Sequence, residues 1–283
     1  MEKRSSAGGA CARVASSAPG FHFSDQQFEI SNNRRVSPHR FFAPALDPGD
    51  EAVDLPRDEA EHLTRVLRLG VGDTVSVFNG RGDEFLARVL TAARRDARVE
   101  LLSRVTPALE STTAVTLVQA ILKGDKMDDV VRDAVMLGVT AIQPIVTRRT
   151  EVTVAAVLRG ARVERWQRVA LASAKQSRRA VLPDILVPLT FETWLDEPAP
   201  DSRLMCVEPG LEGVEPIGAL RDERVPFTAS VVVGPEGGWD AAECDAARTK
   251  SLRLVSLGGR TLRADAVPIA ALSILQFLWD QSC

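Results

Sequence analysis

Chemistry that relies on clustered thiols or imidazoles has little to work with in this chain of 283 residues. The four cysteines, Cys11, Cys206, Cys244 and Cys283, are scattered, with no C-x-x-C pair and no histidine close by. That spacing excludes a zinc ribbon or finger and reads as isolated thiols in a reducing compartment. Histidine is scarcer still, at His22, His39 and His62, so neither a histidine-based triad nor a metal centre is expected. No run approaches the roughly 18 apolar residues of a membrane span, and no apolar signal-peptide core opens the chain. A cytoplasmic protein with no membrane partner is the expectation. Both common nucleotide fingerprints, G-x-x-x-x-G-K-[ST] and G-x-G-x-x-G, are missing. A general excess of positive charge is missing too: the formal net charge is -3, so a nucleic-acid partner must be met by a local patch.

With 45% hydrophobic residues the composition is ordinary for a globular protein, and the length suits about two domains. Residues 1–37, rich in Ser, Ala, Gly and Asn with few acids, read as a disordered extension, a transit peptide being the alternative. Residues 38–107 carry short patterns. A brief helix is predicted over 58–67 and strands over 74–78, 84–90 and 99–105, with Asn79-Gly-Arg-Gly82 as a glycine-rich hairpin turn. Short strands closed by tight turns suggest a small β-barrel. Arg65, Arg68, Arg81, Arg88, Arg94, Arg95 and Arg98 decorate it among acids, which fits either a solvated surface or an RNA-facing one.

From Ala114 the rhythm becomes an alternation of strands, at 115–122, 141–146, 203–207, 228–233 and 252–257, with helical patterns. The helix over 126–137 places Met127, Val130, Val131, Ala134 and Leu137 along one side. This predicts an α/β domain over 114–283, a mostly parallel sheet with helices on both faces, with the boundary near 107–113. Between its strands, residues 148–179 carry Arg148, Arg149, Arg159, Arg162, Arg165, Arg168, Lys175, Arg178 and Arg179 against only Glu151 and Glu164. Clustered arginines attract phosphate by bidentate hydrogen bonding and counterion release, a solvated helix face being the alternative. Trp166 and Val169 among them read as a core stripe. The last helical pattern, 266–279, is apolar round most of its circumference, so it lies deep in the monomer or in a dimer interface.

Two glycine-bearing turns hold the candidate site. Val231-Val-Val-Gly-Pro-Glu-Gly-Gly-Trp-Asp240 and Leu257-Gly-Gly-Arg-Thr-Leu-Arg-Ala-Asp265 each continue an apolar strand. Ligands of open α/β sheets sit outside the carboxyl ends of strands, where glycines let them approach backbone N–H groups. In the first turn Pro235 fixes φ, Gly237 and Gly238 permit positive φ, and Asp240 with Glu243 predicts a capping box. A plain strand-to-helix turn accounts for all of these except Glu236. In the second, Asp265 is expected to cap the last helix with Arg263 beside it, and a local Arg263–Asp265 ion pair is the simpler alternative.

Lys123-Gly-Asp-Lys-Met-Asp128, Ala174-Lys-Gln-Ser-Arg-Arg179, Gly234-Pro-Glu-Gly-Gly238 and Leu257-Gly-Gly-Arg-Thr-Leu-Arg263 share an order and spacing with one known family. Over residues 40–277 the chain resembles the ribosomal RNA small-subunit methyltransferases that methylate uracil N3 in 16S rRNA, a branch of the SPOUT superfamily. The resemblance implies a PUA-like RNA-binding β-barrel at 38–107 and a trefoil-knotted SPOUT domain at 114–283. It also implies S-adenosyl-L-methionine as cofactor, 16S rRNA or the 30S subunit as partner, and a homodimer. Val207, Glu208, Gly234, Pro235, Glu236, Gly237, Gly238, Leu257, Gly258, Leu262 and Arg263 would hold the cofactor. Arg65, Arg68, Lys123, Lys126, Gln176, Arg178 and Arg179 would meet RNA. The chain departs from the family where Leu262-Arg-Ala-Asp-Ala-Val267 stands for Leu-Arg-x-Glu-Thr-Ala and Met136-Leu-Gly-Val139 for Glu-Leu-Gly-Val.

Uracil N3 is a poor nucleophile until it loses its proton, which makes Arg263, Glu236 and Asp265 the candidate catalytic residues. Arg263 would stabilise the anion through a carbonyl oxygen, while Glu236 or Asp265 orients the base or accepts the proton. Two alternatives stand beside this reading: a SPOUT enzyme acting on transfer RNA, and a non-catalytic RNA-binding assembly factor. Cofactor binding and the identity of the methylated RNA separate the three.

Overall fold

The computed structural model describes residues 39–279, so the expected extension at 1–37 lies outside the described residues. The first sheet contains β1 (Arg40–Phe42), β2 (Ala52–Asp54), β3 (Thr74–Phe78), β4 (Glu84–Ala93) and β5 (Asp96–Arg104). A short helix, α1 (Arg57–Glu61), runs on into a π-helical turn over His62–Val66. The strand order is β1-β3-β4-β5-β2, with β1 parallel to β3 and the other pairs antiparallel. Alternate residues point inward, as the pleat requires: Val75 and Val77, Ala87 and Val89, Ala97 and Val99 meet Phe41, Val53 and Leu63 in one core. Register shifts at Leu86/Ala87 and Val89/Thr91 mark bulges, which add the twist that coils a sheet around its own core. The hairpin turn forms as expected. Asn79 Oδ1 accepts the N–H groups of Arg81 (2.8 Å) and Asp83 (3.1 Å), and Gly80 and Gly82 take positive φ.

The second sheet contains β6 (Ala114–Ala120), β7 (Ala141–Val146), β8 (Asp184–Ile185), β9 (Leu189–Thr190), β10 (Ser202–Cys206), β11 (Glu215–Pro216), β12 (Thr228–Val233) and β13 (Arg253–Ser256). Its order is β11-β13-β10-β12-β6-β7-β8, β9 also pairs with β7, and every pair is parallel. The intervening helices are α2 (Lys126–Met136), α3 (Val154–Arg159), α4 (Arg162–Ser177), α5 (Phe191–Leu195), α6 (Ala241–Thr249) and α7 (Val267–Trp279), with a 3-10 turn at Ile217–Asp222. Helices cover both faces, which is why β12 is apolar at successive positions. Met127, Val130, Trp166, Ala170, Ala271 and Leu275 pack with Leu117, Leu204 and Val231 on one face. Phe191, Trp194, Cys244 and Ala247 pack with Val118, Met205 and Val232 on the other. Trp166 is thus a core residue, as its spacing suggested. No helix among the described residues is long and apolar enough to cross a membrane.

The two cores are joined by buried polar contacts. Arg40 spans the junction, pairing with Glu84 at 2.7 Å and donating to the carbonyls of Ala174 (2.9 Å), Lys175 (2.9 Å) and Arg179 (3.0 Å) at the end of α4. Lys175 pairs with Glu59 of α1. The β3–β4 turn then docks on the segment after α4, through Gly82 N–H to Ala180 O (3.1 Å) and Leu182 N–H to Gly80 O (2.9 Å). A Cβ at Gly80 would stand 2.9 Å from the Phe42 ring, so this close approach needs glycine.

Arg179 departs from expectation. Its side chain is only 5% exposed, bound to Glu110 (2.6 Å) and to the Val135 carbonyl (2.7 Å). A guanidinium spent on internal partners is not open to a phosphate, so Arg179 is a structural residue rather than an RNA contact.

Candidate active site

The strand order puts the carboxyl ends of β10, β12 and β13 close together, with β10 between the other two. Three loops leave there, at 207–209, 234–240 and 257–266. Because β13 borders β10 while α7 packs on β12 and α2, the last loop crosses above the ends of β10 and β12. Together the loops enclose a cleft of about 200 Å³. Of the residues named from sequence, Lys126, Val207, Glu208, Gly234, Pro235, Glu236, Gly238, Leu257, Leu262, Arg263 and Asp265 line it. Gly237 and Gly258 do not. Gly237 backs onto Arg149, whose Nη1 donates to its carbonyl at 2.8 Å, and Gly258 turns the chain at φ 120°. Val233, Trp239, Arg260, Thr261 and Ala264, which lie within the two predicted turns but were not singled out there, also line it, and Cys206, Pro209 and Val267 join from outside those turns.

Trp239 is the most informative of these. Its Nε1–H donates to the Cys206 carbonyl at 2.9 Å, tying the loop after β12 to the end of β10, and its ring lies 5.1 Å from Phe191. The indole also explains Gly234, where a Cβ would stand 2.9 Å from two of its atoms. Gly238 takes φ 70° and closes the turn by donating to the Pro235 carbonyl at 3.0 Å. The chain then enters α6 through the expected capping box: Asp240 accepts from Ala242 N–H (3.1 Å) and Glu243 from Asp240 N–H (2.9 Å). The second Glu243 oxygen accepts Arg148 N–H (2.8 Å), and the Arg148 side chain reaches Asp240. Arg148 and Arg149 therefore brace the outer wall of this loop.

Six charged residues line the cleft, and four of them form two pairs, Lys126 with Glu236 and Arg263 with Asp265. Glu236 Oε1 accepts from Lys126 Nζ (2.9 Å) and from the N–H of Lys123 (3.1 Å). Burial pushes its pKa up, but the Lys126 bond and the backbone N–H groups of Glu236 and Lys123 outweigh that and hold it below the ordinary carboxylate value. Asp265 binds Arg263 through both oxygens, Oδ1 from Nε (3.1 Å) and Oδ2 from Nη2 (2.9 Å). It too lies below its ordinary range: burial raises it, while its own N–H, the Arg263 bond and the charges of Arg263 and Lys126 lower it further. Both acids are thus carboxylates at neutral pH. Asp265 is not the helix cap expected of it, since α7 begins at Val267 and the carboxylate is turned to Arg263. The simpler alternative, a local ion pair, is what forms.

The residues expected to meet RNA are not gathered in the cleft, apart from Lys126. Arg65, Arg68, Gln176 and Arg178 are exposed, the first pair beside the coiled sheet and the second at the end of α4. Lys123 is exposed and paired with Glu151 at 2.5 Å. Elsewhere in the arginine run, Arg165 binds Asp125 and Asp128.

Comparison with known proteins agrees with this architecture. The RNA methyltransferase domain family matches residues 109–276, and the RNA methyltransferase PUA domain family matches residues 55–102. A ribosomal RNA small subunit methyltransferase E of Synechocystis is 34% identical over 89% of this chain and 82% of its own. Among solved structures, a ribosomal RNA small subunit methyltransferase E of Neisseria gonorrhoeae bound to S-adenosyl methionine is 33% identical. It superposes with a TM-score of 0.75 over 86% of this chain and 98% of its own. A methyltransferase of Legionella pneumophila, solved with its cofactor SAM, is 27% identical with a TM-score of 0.77 over the same shares. A family match over more than half the chain and a relative this similar along most of its length place the protein: it belongs to the ribosomal RNA small subunit methyltransferase E family.

Proposed function

We propose that this protein transfers a methyl group from S-adenosylmethionine to N3 of one uridine in 16S rRNA, and that the reaction takes place in the cleft above β10, β12 and β13. The observation that carries the reading is the meeting of an Arg263–Asp265 pair and an ionised Glu236 in a cleft whose walls are otherwise largely apolar. That donor set fits the cofactor. Val207, Leu257, Leu262 and Val267 offer surface for a flat ring, and Glu208 and Thr261 offer polar partners.

When bound, the cofactor supplies a sulfonium methyl that is already electrophilic. The chain's own task is to hold the target base in line, exclude water and manage the N3 proton. A guanidinium has five N–H donors, and Asp265 engages two, so Arg263 keeps donors for a uracil carbonyl where charge grows as N3 is deprotonated. Asp265 has both oxygens on Arg263, whereas Glu236 is anchored through Oε1. Glu236 is therefore the acceptor for N3–H and passes the proton to water, and Asp265 positions Arg263. The target base leaves any stack to reach the cleft.

The division of labour expected at 38–107 and 114–283 belongs with this reading. The coiled sheet with Arg65 and Arg68, and the end of α4 with Gln176 and Arg178, bind the RNA backbone. The trefoil knot follows if residues 257–266 cross through the loop before β12. A second copy of the chain covers α7, where Ile269 is 41% and Phe277 is 77% exposed although their neighbours Ala271, Leu272 and Leu275 are buried. The work is cytoplasmic, where ribosomal subunits are available. Isothermal titration with S-adenosylmethionine tests the donor half: saturable binding is expected, and no heat at millimolar cofactor contradicts it.

A further inference from the structure

Lys126 stands where stability alone would not put it. It is the first residue of α2, where the helix dipole disfavours a cation and where the other charged residues of the first turn, Asp128 and Asp129, have the favoured sign. Its Nζ lies 2.9 Å from Glu236 Oε1, and the N–H of Lys123 bonds the same oxygen. The Lys123 ammonium is turned instead to Glu151. Lys126 is thus the side-chain cation on Glu236, it lines the same cleft as Arg263 and Asp265, and its charge reaches Asp265 as well. The charge of this ammonium is already answered by a carboxylate inside the cleft, which sets it apart from the phosphate contact its motif suggested.

We infer that Lys126 is a positioning residue for methyl transfer: its bond to Oε1 fixes the Glu236 carboxylate so that the second oxygen addresses the reacting base, and it acts through Glu236 rather than on RNA. The inference rests on the cleft being the methyl-transfer site. Without Lys126, burial and the two N–H groups alone set the state of Glu236, so the acid becomes easier to protonate and freer to turn.

A double-mutant cycle tests this. Single-turnover methylation of 30S subunits is compared for the unaltered chain, Lys126→Met, Glu236→Gln and the double variant. Lys126→Met is expected to slow transfer about tenfold in the unaltered background and less than about twofold in Glu236→Gln, because residues that act as a unit are not additive. Lys126→Arg should recover most of the rate, and the salt dependence of RNA binding should not change. Costs that multiply, or a shallower salt slope in Lys126→Met, overturn the inference and return Lys126 to the phosphate backbone. A readout independent of turnover is the titration of the Glu236 carboxylate, followed by carbon NMR of the full-length protein. Its midpoint should rise in Lys126→Met and fall back in Lys126→Arg, and an unmoved midpoint overturns the inference. If the midpoint moves while the unaltered chain methylates no rRNA, the functional reading fails and the Lys126–Glu236 link stands.

Discussion

Arg263 and Asp265 are two residues apart, yet their chemistry is set by each other more than by the helix that follows. The fork geometry of a guanidinium matches a carboxylate at two points and leaves donors facing the cleft. Arg263→Ala should lower the methyl-transfer rate constant by about 10²–10³-fold, the size of losing one stabilising donor, with a smaller effect on cofactor affinity. Arg263→Lys should rescue little, since an ammonium cannot reproduce the fork; single-turnover kinetics checks both. The pH dependence has a definite sign. Glu236 and Asp265 are both held below their ordinary values, so their contacts are present above the normal carboxylate range and are lost only as pH falls through the lowered values. Cofactor affinity measured by titration should be flat from neutral pH to about pH 5 and weaken below about pH 4. At this scale much was legible: Glu236 stood out because no turn geometry explains it, and Arg263 because it closes the second motif. Trp239 was hidden because its value lies in a bond to Cys206, a residue 33 positions away. Arg179 misled for the same reason, as nothing in an arginine-rich run tells which member faces Glu110.

Among the elements, the loop after β12 carries the tightest constraint. A Cβ on Gly234 would collide with the indole of Trp239, so Gly234→Ala must shift the ring and break its bond to Cys206. The expected result is at least about tenfold weaker cofactor binding by calorimetry, with the melting temperature lowered by only a few degrees. The junction between the two sheets is the second constrained element. Arg40 and Glu84 are 9% and 6% exposed, and Arg40→Ala leaves the carboxylate buried without its cation. Chemical denaturation should show a loss of about 3–5 kcal/mol. The strands themselves were readable. Predicted strands at 74–78, 141–146 and 228–233 coincide with β3, β7 and β12, because each is a short segment rich in β-branched apolar residues. The short edge strands β1, β2, β8, β9 and β11 left no such run, being two or three residues long and dependent on neighbours remote in sequence.

Seen whole, the molecule couples a small coiled sheet to a larger parallel one through salt bridges and backbone bonds, while α7 keeps an apolar strip outward. Phe277→Asp should turn the proposed dimer into a monomer in sedimentation equilibrium without unfolding it, because the side chain is 77% exposed in the single chain. A native molecule that sediments as a monomer at micromolar concentration contradicts the proposed pairing. The chain order of strands could not be read from sequence, since a parallel sheet hides its order in crossovers, yet that order is what brings residues 207, 236 and 263 to one cleft. The central claim concerns the product. Incubation of the protein with methyl-labelled S-adenosylmethionine and either 30S subunits or naked 16S rRNA, followed by digestion and mass mapping, identifies the modified atom. The account predicts one methyl group on N3 of a single uridine of 16S rRNA; label confined to transfer RNA, or found on any other base atom, would contradict it.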